Sequence, residues 1–319
     1  MMRKLLFCAS LLVLPAVGQA EVLPLNRTDA SVHTVGALQF RGAVTIPPGK
    51  GKFGGLSALA VLEENKELLA VSDVSRAFRL TLTWDQQGQL IAAVPDKGAA
   101  LLDDTGKPPK TRARFDSESL TRWEDGWLVG YERTHRIMHF SDGPAGLQQV
   151  PVAWPAVPEW SALPSNLGFE ALVNLGQGRL LAIAEASTDG TTHPAWLWQD
   201  GHWSDLTYRS ALTMVPSDAT LLPDGDLLVL ERGFNLFFNF QSRLVRVKAD
   251  QIKPGQLLEG EEIARLASPL ITENFEALAA GRAPDGAIRL YIASDNNFNA
   301  AQQTILAVFD LISPPSSLR

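Results

Sequence analysis

Phe275-Glu276-Ala277-Leu278 is one of five variants of a tetrapeptide that recur along the chain, and this recurrence indicates the fold. Each variant has a small or aromatic residue, an acid or serine, then Ala or Ser, and usually Leu. The polar positions that align across the five variants are Ser57, Glu118, Glu170, Asp218 and Glu276. They lie roughly fifty residues apart, which is the spacing of a repeat architecture.

A second feature follows each variant within about twenty residues. It is an apolar strand pattern that ends in a charged residue, at Asp73, Glu132, Glu185, Glu231 and Asp295. A third strand pattern comes next, at residues 79–84, 136–140, 196–199, 243–247 and 304–309. Repeats of this length with about four strands each are typical of propeller blades.

The last repeat ends near Asp310 with only three strand patterns. Residues 37–46 form a strand pattern ahead of the first repeat and belong to no repeat of their own. We therefore predict an all-β fold, a five-bladed β-propeller with four-stranded blades, closed by this N-terminal strand. Six blades would result if one repeat contains two, and the regular spacing argues against a generic sandwich or barrel.

The N-terminus predicts export. Arg3 and Lys4 precede an apolar run at residues 5–17, which is too short to span a bilayer. Gly18-Gln19-Ala20 then provides the small residues of a cleavage site, so residues 1–20 are predicted to be a signal peptide. The single cysteine lies within it. Residues 21–319 are predicted to form one periplasmic or secreted propeller domain without disulfides.

The composition limits the partners. The chain has 28 Lys and Arg against 35 Asp and Glu, a formal net charge of −7 at pH 7. Such an acidic chain disfavours nonspecific nucleic-acid binding. No second apolar run approaches membrane-spanning length, so we expect no membrane insertion. The expected partner is a small anionic or ester substrate, bound by a monomer.

The two sets of polar positions should meet at one mouth of the central channel. Inner strands of a propeller begin at the rim to which the second strands return. Carboxylates crowded there would need protons, basic partners or a cation. Five carboxylate or hydroxyl ligands at Ser57, Glu118, Glu170, Asp218 and Glu276 predict one axial calcium ion. The alternative is that these acids cap backbone amides or pair with Arg76, Arg133 or Arg232.

Basic residues are predicted at the same rim. Residues 107–114 hold four cations, and Arg133, His135 and Arg232 follow second strands. A metal surrounded by Arg and Lys suits a phosphate ester, although a solvated basic loop is an equal alternative. Residues 233–240 are aromatic, and they either cover a substrate or pack over the blades.

Several segments resemble a known family. Asn274-Phe275-Glu276-Ala277-Leu278, Leu230-Glu231-Arg232 and Ser294-Asp295-Asn296-Asn297-Phe298 resemble signatures of the phytase-like family, "esterase-like activity of phytase". Residues 168–172 are similar to its middle motif, and the resemblance covers about residues 50–310. It implies an exported bacterial propeller, and the family name implies phosphoester hydrolysis.

The first set of polar positions is also similar to the axial calcium ring of five-bladed calcium-activated nucleotidases (apyrases). Those enzymes place one Ser or Glu per blade around calcium and cleave nucleoside diphosphates. Here Asp218, with Ser217 beside it, stands at the fourth position. The dense Asp motifs of alkaline β-propeller phytases are missing, which argues against phytate.

The leading hypothesis is a calcium-dependent phosphoester or phosphoanhydride hydrolase. Arg232, Arg133 and Arg114 would neutralise charge in the transition state, and Glu231 or Asp295 would act as the base. Two alternatives stay open. One is a non-catalytic binding module with a structural calcium, and the other is a lactonase-type esterase that polarises a carbonyl.

Overall fold

The computed structural model describes residues 20–47, 53–111, 115–142, 146–234 and 239–312. The predicted signal peptide lies outside these residues except for Ala20. Within the described ranges, no helix is long and apolar enough to cross a membrane. The described helical elements are 3₁₀ turns at Gly146–Gln148, Pro158–Ala162 and Ala249–Gln251. Strands make up the rest of the regular structure, as predicted.

The strands form five antiparallel sheets, which are the blades. The chain begins with β1 (Val22–Leu23), β2 (Thr34–Val35) and β3 (Leu38–Thr45), which belong to the last blade. Blade 1 contains β4 (Leu56–Glu63), β5 (Glu67–Ser72), β6 (Arg76–Trp84) and β7 (Leu90–Pro95), with β8 (Ala99–Ala100) added to β6. Blade 2 contains β9 (Asp116–Trp123), β10 (Gly126–Glu132), β11 (Arg136–Ser141) and β12 (Val152–Ala153).

Blades 3 to 5 follow the same antiparallel order. Blade 3 contains β13 (Phe169–Gly176), β14 (Arg179–Ala184), β15 (Thr192–Gln199) and β16 (His202–Arg209). Blade 4 contains β17 (Met214–Leu221), β18 (Leu227–Phe234), β19 (Phe240–Val247) and β21 (Glu261–Leu266); the short β20 (Leu257–Leu258) precedes β21 and pairs in parallel with β16. Blade 5 contains β22 (Phe275–Arg282), β23 (Ile288–Ser294), β24 (Ile305–Leu311) and β3.

The ring closes in blade 5, where the N-terminal and C-terminal ends of the propeller share one sheet. β24 pairs with β3 in the register Ile305 to Thr45 and Leu306 to Val44. The inner strands β4, β9, β13, β17 and β22 contact one another in cyclic order, with β22 beside β4. The predictions of five blades and of closure by residues 37–46 are therefore confirmed.

Apolar side chains between neighbouring blades form the core. In β18, for example, Leu230 packs into the cluster shared with blade 5, whereas Val229 packs into the cluster shared with blade 3. This alternation is the two-residue period of a strand buried on both faces. Each such side chain contributes about 1.5–3 kcal/mol on full burial. The packing holds the inner strands in place around the axis.

Candidate functional site

Each inner strand carries a one-residue bulge close to its first residue. In blade 5, Phe275 pairs with Ser294 and Ala277 pairs with Ala293, so that Glu276 between them has no partner on β23. A bulge leaves its extra residue unpaired and re-aims the side chain. The five bulge residues, which we call the axial ring, are Ser57, Glu118, Glu170, Ser217 and Glu276.

Blade 4 differs from the sequence alignment by one residue. Pro216 pairs with Glu231 and Asp218 with Leu230, so the bulge residue is Ser217 and not Asp218. The Asp218 carboxylate accepts hydrogen bonds from the backbone amides of Ala219 at 2.7 Å and Leu278 at 2.6 Å. Because Leu278 lies on β22, Asp218 connects blade 4 to blade 5. The predicted fourth ring position therefore shifts from Asp218 to Ser217.

A second ring follows from the same register. At three blades, the residue directly after the second strand donates its backbone amide to the carbonyl two residues before the bulge: Asp73 to Gly55, Glu185 to Gly168, and Asp295 to Asn274, at 2.8–2.9 Å. The equivalent pairs elsewhere are Asp116 with Glu132 and Val215 with Arg232. The second ring, which we call the rim ring, therefore consists of Asp73, Glu132, Glu185, Arg232 and Asp295.

Glu231 is not brought to the rim. Its fully buried carboxylate accepts hydrogen bonds from the Tyr208 hydroxyl at 2.6 Å and the Ala211 amide at 3.3 Å. The Arg243 guanidinium lies 3.3 Å from Oε2, the oxygen that accepts the Ala211 amide. These contacts join blades 3 and 4, on the face of β18 opposite to Arg232. The sequence pattern placed Glu231 at the rim because Glu231 is the acidic residue at the end of the second strand pattern. The strand register places Arg232 at that rim position instead.

Arg232 connects the two blades that flank its own. Its Nε lies 3.3 Å from Oε1 of Glu276 in blade 5, and its Nη2 lies 3.4 Å from Oε1 of Glu185 in blade 3. Burial alone would lower the pKa of Arg232, but the carboxylates of Glu276 and Glu185 hold this pKa above its ordinary value. The guanidinium is therefore a fixed positive charge in the mouth of the channel.

The axial glutamates carry more negative charge than this arginine balances. Burial, followed by the charges of Glu170 and Asp116, raises the pKa of Glu118 well above its ordinary range. Burial and the charge of Glu185 likewise raise the pKa of Glu170, while Arg232 opposes the shift. Clustered carboxylates of this kind favour protons or a cation.

Blade 2 holds the densest part of the acidic cluster. Oxygens of Asp116, Glu118 and Glu132, all buried, lie within 4.8 Å of one another and could hold a metal ion. Burial and the neighbouring Asp116 raise the pKa of Glu132 to about 7. Arg133, which follows Glu132, donates from Nε to the Asp116 carboxylate. Arg133 therefore lies at the edge of the cluster and pairs with one of its acids, which is the arrangement expected under the alternative that these acids pair with basic residues.

Two glycines make room for the rim carboxylates. Gly55 has a φ of +63°, and a Cβ at this position would come 2.3 Å from Oδ1 of Asp73. A Cβ at Gly168 would come 2.7 Å from Cβ of Glu132 and from Nδ1 of His135. A side chain at either position would displace a rim acid.

The loop after β23 orders the rim between blades 5 and 1. Asp295 is buried, and its Oδ1 accepts the amide of Asn297 at 2.6 Å. Oδ1 of Asn296 accepts the amide of Gly55 at 3.0 Å. The predicted catalytic Asp295 therefore lies in a loop that is fastened to the neighbouring blade.

The remaining predicted rim groups are Arg114, Arg76 and the aromatic loop at residues 233–240. Arg114 lies outside the described residues, as do residues 235–238 of the aromatic loop. Arg76 donates to the carbonyls of Lys97 and Gly98 at 3.2 and 3.1 Å, beside the short outer strand β8. The exposed Phe234 stacks on Phe240 at 4.8 Å.

Sequence reasoning missed three residues of the site: Asp116, Ser217 and Asn274. Asp116 and Asn274 each stand two residues before an axial glutamate, at the positions where blades 1 and 3 have glycine. Aligning the position two residues before each axial residue would have identified Asp116 and Asn274 from the repeats. Ser217 was hidden because the neighbouring Asp218 matched the acidic pattern better.

Comparison with known proteins agrees with this architecture. The Phytase-like family, described as "Esterase-like activity of phytase", matches residues 51–298. A search of curated protein sequences found no match. Among solved structures, the catalytic domain of a GH62 α-L-arabinofuranosidase from Coprinopsis cinerea is similar, with a TM-score of 0.53 and 11% identity over 90% of this chain and 98% of that one.

A second α-L-arabinofuranosidase, from Podospora anserina and solved in complex with cellotriose, has a TM-score of 0.52 and 12% identity. That similarity covers 88% of this chain and 98% of the other. At such identities these two structures share the fold, and they say nothing of this chain's substrate. The family match covers most of the chain and includes both rings. The chain belongs to the phytase-like family.

Proposed function

We propose that this protein is an exported, calcium-dependent hydrolase of phosphate esters or phosphoanhydrides. The observation that carries the proposal is the cluster of buried axial carboxylates beside fixed arginines at one mouth of the propeller. The carboxylates suit a hard cation, and the arginines suit an anionic substrate. Membership of the phytase-like family supports a hydrolase.

The donor atoms of the axial ring fit calcium. Glu118, Glu170 and Glu276 offer carboxylate oxygens, and the two serines offer hydroxyls. The Ser57 hydroxyl donates to the carbonyl of Ser117 at 2.6 Å, which leaves its lone pairs available to a cation. An all-oxygen set of mixed charge favours Ca²⁺ or Mg²⁺ over Zn²⁺, and calcium tolerates irregular geometry better than magnesium.

The chain's own groups would bind and orient the substrate. A bound calcium ion would supply Lewis-acid polarisation of a phosphoryl oxygen. Arg232 is held by Glu185 and Glu276 before any substrate arrives, so little reorganisation is needed for it to meet an anion. Arg133 adds a partly exposed positive charge on the opposite side. Asp295 would accept the proton of the attacking water.

Export fits the proposed cofactor. The predicted signal peptide at residues 1–20 would deliver the protein to a compartment outside the cytosol. Calcium sites of extracellular modules function with affinities of about 10⁻⁴–10⁻³ M. A site made of pre-assembled carboxylates would therefore be occupied there without the tighter binding that calcium sites in the cytosol need.

A binding module with a structural calcium is the second candidate. Two large aromatic side chains, Phe234 and Phe298, are about half exposed. Phe234 is the last residue of β18 and Phe298 lies in the loop after β23, so both lie at the ends of second strands on the acidic side of the propeller. Exposed aromatic residues at a rim suit a partner surface. A lactonase-type esterase would use the same cation on a carbonyl and would prefer a lactone to any phosphate ester.

One experiment separates these functions. The mature protein, stripped with EDTA, is melted with and without calcium, and both samples are assayed against phosphate esters, nucleotides and lactones. A calcium-dependent rise in Tm with phosphate release supports the proposal. A rise without turnover favours the binding module, and turnover of lactones alone favours the esterase. No rise in Tm would overturn the axial calcium site.

A further inference from the structure

Asn274 is a buried amide in the acidic cluster, and one of its polar atoms has no partner. The residue is 3% exposed and lies directly before β22. Its Oδ1 is buried and accepts no hydrogen bond from the described residues. A buried carbonyl oxygen that has lost water and gained no donor costs free energy, so such an atom is expected to have a ligand.

The orientation of this amide is fixed by chemistry. Nδ2 of Asn274 donates to Oε1 of Glu276 at 2.9 Å. The flipped amide would place Oδ1 against that carboxylate, which is repulsive. The backbone is held as well, because the Asn274 carbonyl accepts the amide of Asp295 at 2.9 Å. Oδ1 is therefore the free atom of the group, next to an axial carboxylate.

The same contacts hold the carboxylate of the neighbouring Glu276 in one position. Its Oε1 receives Nδ2 of Asn274 and faces Nε of Arg232 at 3.3 Å. Because Oε1 accepts the Nδ2 hydrogen bond and forms the ion pair with Arg232, Oε2 is the oxygen that we expect to coordinate a cation. A neutral oxygen beside it would add a ligand without adding charge to a cluster that already repels itself.

We propose that Oδ1 of Asn274 is a ligand of the axial cation, and that Nδ2 of the same residue positions Glu276. The inference rests on the proposed calcium site and names a further ligand of it. Amide oxygens are ordinary calcium ligands. The residue lies outside the axial ring, so it extends the coordination from the bulge position to the residue two places before it.

The test measures Ca²⁺ binding by calorimetry and Tm in EDTA for the full mature protein and its variants. Asn274→Leu removes the oxygen at similar volume, and we expect Ca²⁺ to bind 10- to 100-fold more weakly, with Tm in EDTA unchanged or higher. Asn274→Asp keeps an oxygen but adds a charge beside Glu276. We expect it to lower Tm in EDTA and to enlarge the rise in Tm on adding calcium.

Asn174→Ala is the matched control. Asn174 also lies on an inner strand, at the opposite end of the channel, where its Oδ1 accepts the amide of Gly176 at 2.8 Å. This variant should bind Ca²⁺ as the wild type does. If the wild type binds no Ca²⁺, the proposed function fails and the inference fails with it. If the wild type binds but Asn274→Leu binds equally well and melts lower in EDTA, Asn274 is structural and only the inference is overturned.

Discussion

Blades 2 and 4 have the same backbone at the rim and opposite chemistry. The three equivalent positions hold Asp116, Glu118 and Glu132 in blade 2, and Val215, Ser217 and Arg232 in blade 4. The repeat therefore fixes where a side chain is placed but not its charge. One side of the mouth collects carboxylates, and the other supplies a cation.

This asymmetry explains how the mouth could serve two ligands of opposite charge. Five acids in full symmetry would bind cations and repel an anionic substrate. With an arginine in one blade, the flanking acids Glu185 and Glu276 are partly neutralised. Blade 2 instead has three buried acids beside one arginine, Arg133, and these acids could hold a metal ion. A propeller can thus place a metal and an anion side by side without changing its backbone.

Replacing Arg232 should have the largest effect on this arrangement. Arg232→Met keeps much of the side-chain volume but leaves Glu185 and Glu276 without their shared cation. Removing one partner of a fully buried ion pair typically costs about 3–5 kcal/mol, and these three side chains are 14–23% exposed. We expect the free energy of unfolding in EDTA to fall by an amount below that range but above the cost of breaking a surface pair, as measured by urea denaturation.

Arg79→Met is the control for this prediction, because Arg79 pairs with Glu67 at the surface, where such pairs are worth about 0–1 kcal/mol. Equal losses in the two variants would show that Arg232 is an ordinary surface arginine. Calcium should restore part of the stability of Arg232→Met, since a cation can replace the missing charge.

The raised pKa of Glu132 in blade 2 should make the metal-free protein less stable as pH rises. The pKa of Glu132 is raised from 4.5 to about 7, so the folded protein retains a proton that the unfolded chain releases in this window. The contribution of protonated Glu132 to the free energy of unfolding is therefore fully present below about pH 4.5 and is lost as pH rises toward 7. A shift of this size corresponds to about 3 kcal/mol.

The measurement compares urea denaturation of the wild type and Glu132→Gln in EDTA at several pH values between 4.5 and 7.5. The variant cannot release the proton, so its stability should decline less across that range. Parallel profiles for the two proteins would contradict the raised pKa of Glu132. Saturating calcium should also flatten the wild-type profile, because the cation competes with protons for the carboxylates.

Glu118 belongs to both the axial ring and the acidic cluster of blade 2, so its neutralisation tests the metal site most directly. Glu118→Gln removes one charge from a buried group that its neighbours repel. We expect Ca²⁺ to bind 10- to 100-fold more weakly and Tm in EDTA to rise. Calorimetry and melting with EDTA check both parts, and a fall in Tm without loss of binding would assign Glu118 a structural role.

Most of the fold could be read from the sequence, because each blade must bury alternating apolar residues at a regular spacing. The predicted third strands at residues 136–140 and 243–247, for instance, lie within Arg136–Ser141 and Phe240–Val247. Even the closing strand Leu38–Thr45 was predictable, since the last repeat lacked its outer strand. The short edge strands such as Ala99–Ala100 were not, because two residues carry no periodic pattern.

The site was less predictable, and blade 4 shows why. An alignment of acids placed Asp218 and Glu231 in the rings, whereas the register places Ser217 and Arg232 there. Which residue a bulge leaves unpaired depends on how two strands settle against the neighbouring blades, and no local pattern encodes it. The ring positions assigned from the sequence therefore agree with the strand register in four blades and are one residue out of register in blade 4.

The smallest effect is expected for the hydroxyl of Ser217. Its removal distinguishes the sequence alignment, which places Asp218 in the axial ring, from the strand register, which places Ser217 there. Ser217→Ala removes a hydroxyl from the axial ring, and we expect Ca²⁺ binding to weaken by up to about tenfold, with little change of Tm in EDTA. Asp218→Asn instead leaves one of two backbone amides, that of Ala219 in its own strand or that of Leu278 in blade 5, without an acceptor, and should cost about 1–3 kcal/mol with and without calcium. If Asp218→Asn weakens calcium binding and Ser217→Ala does not, the sequence alignment of blade 4 is right and the register argument is wrong. The opposite result would establish that the bulge, and not the acid, defines the ring.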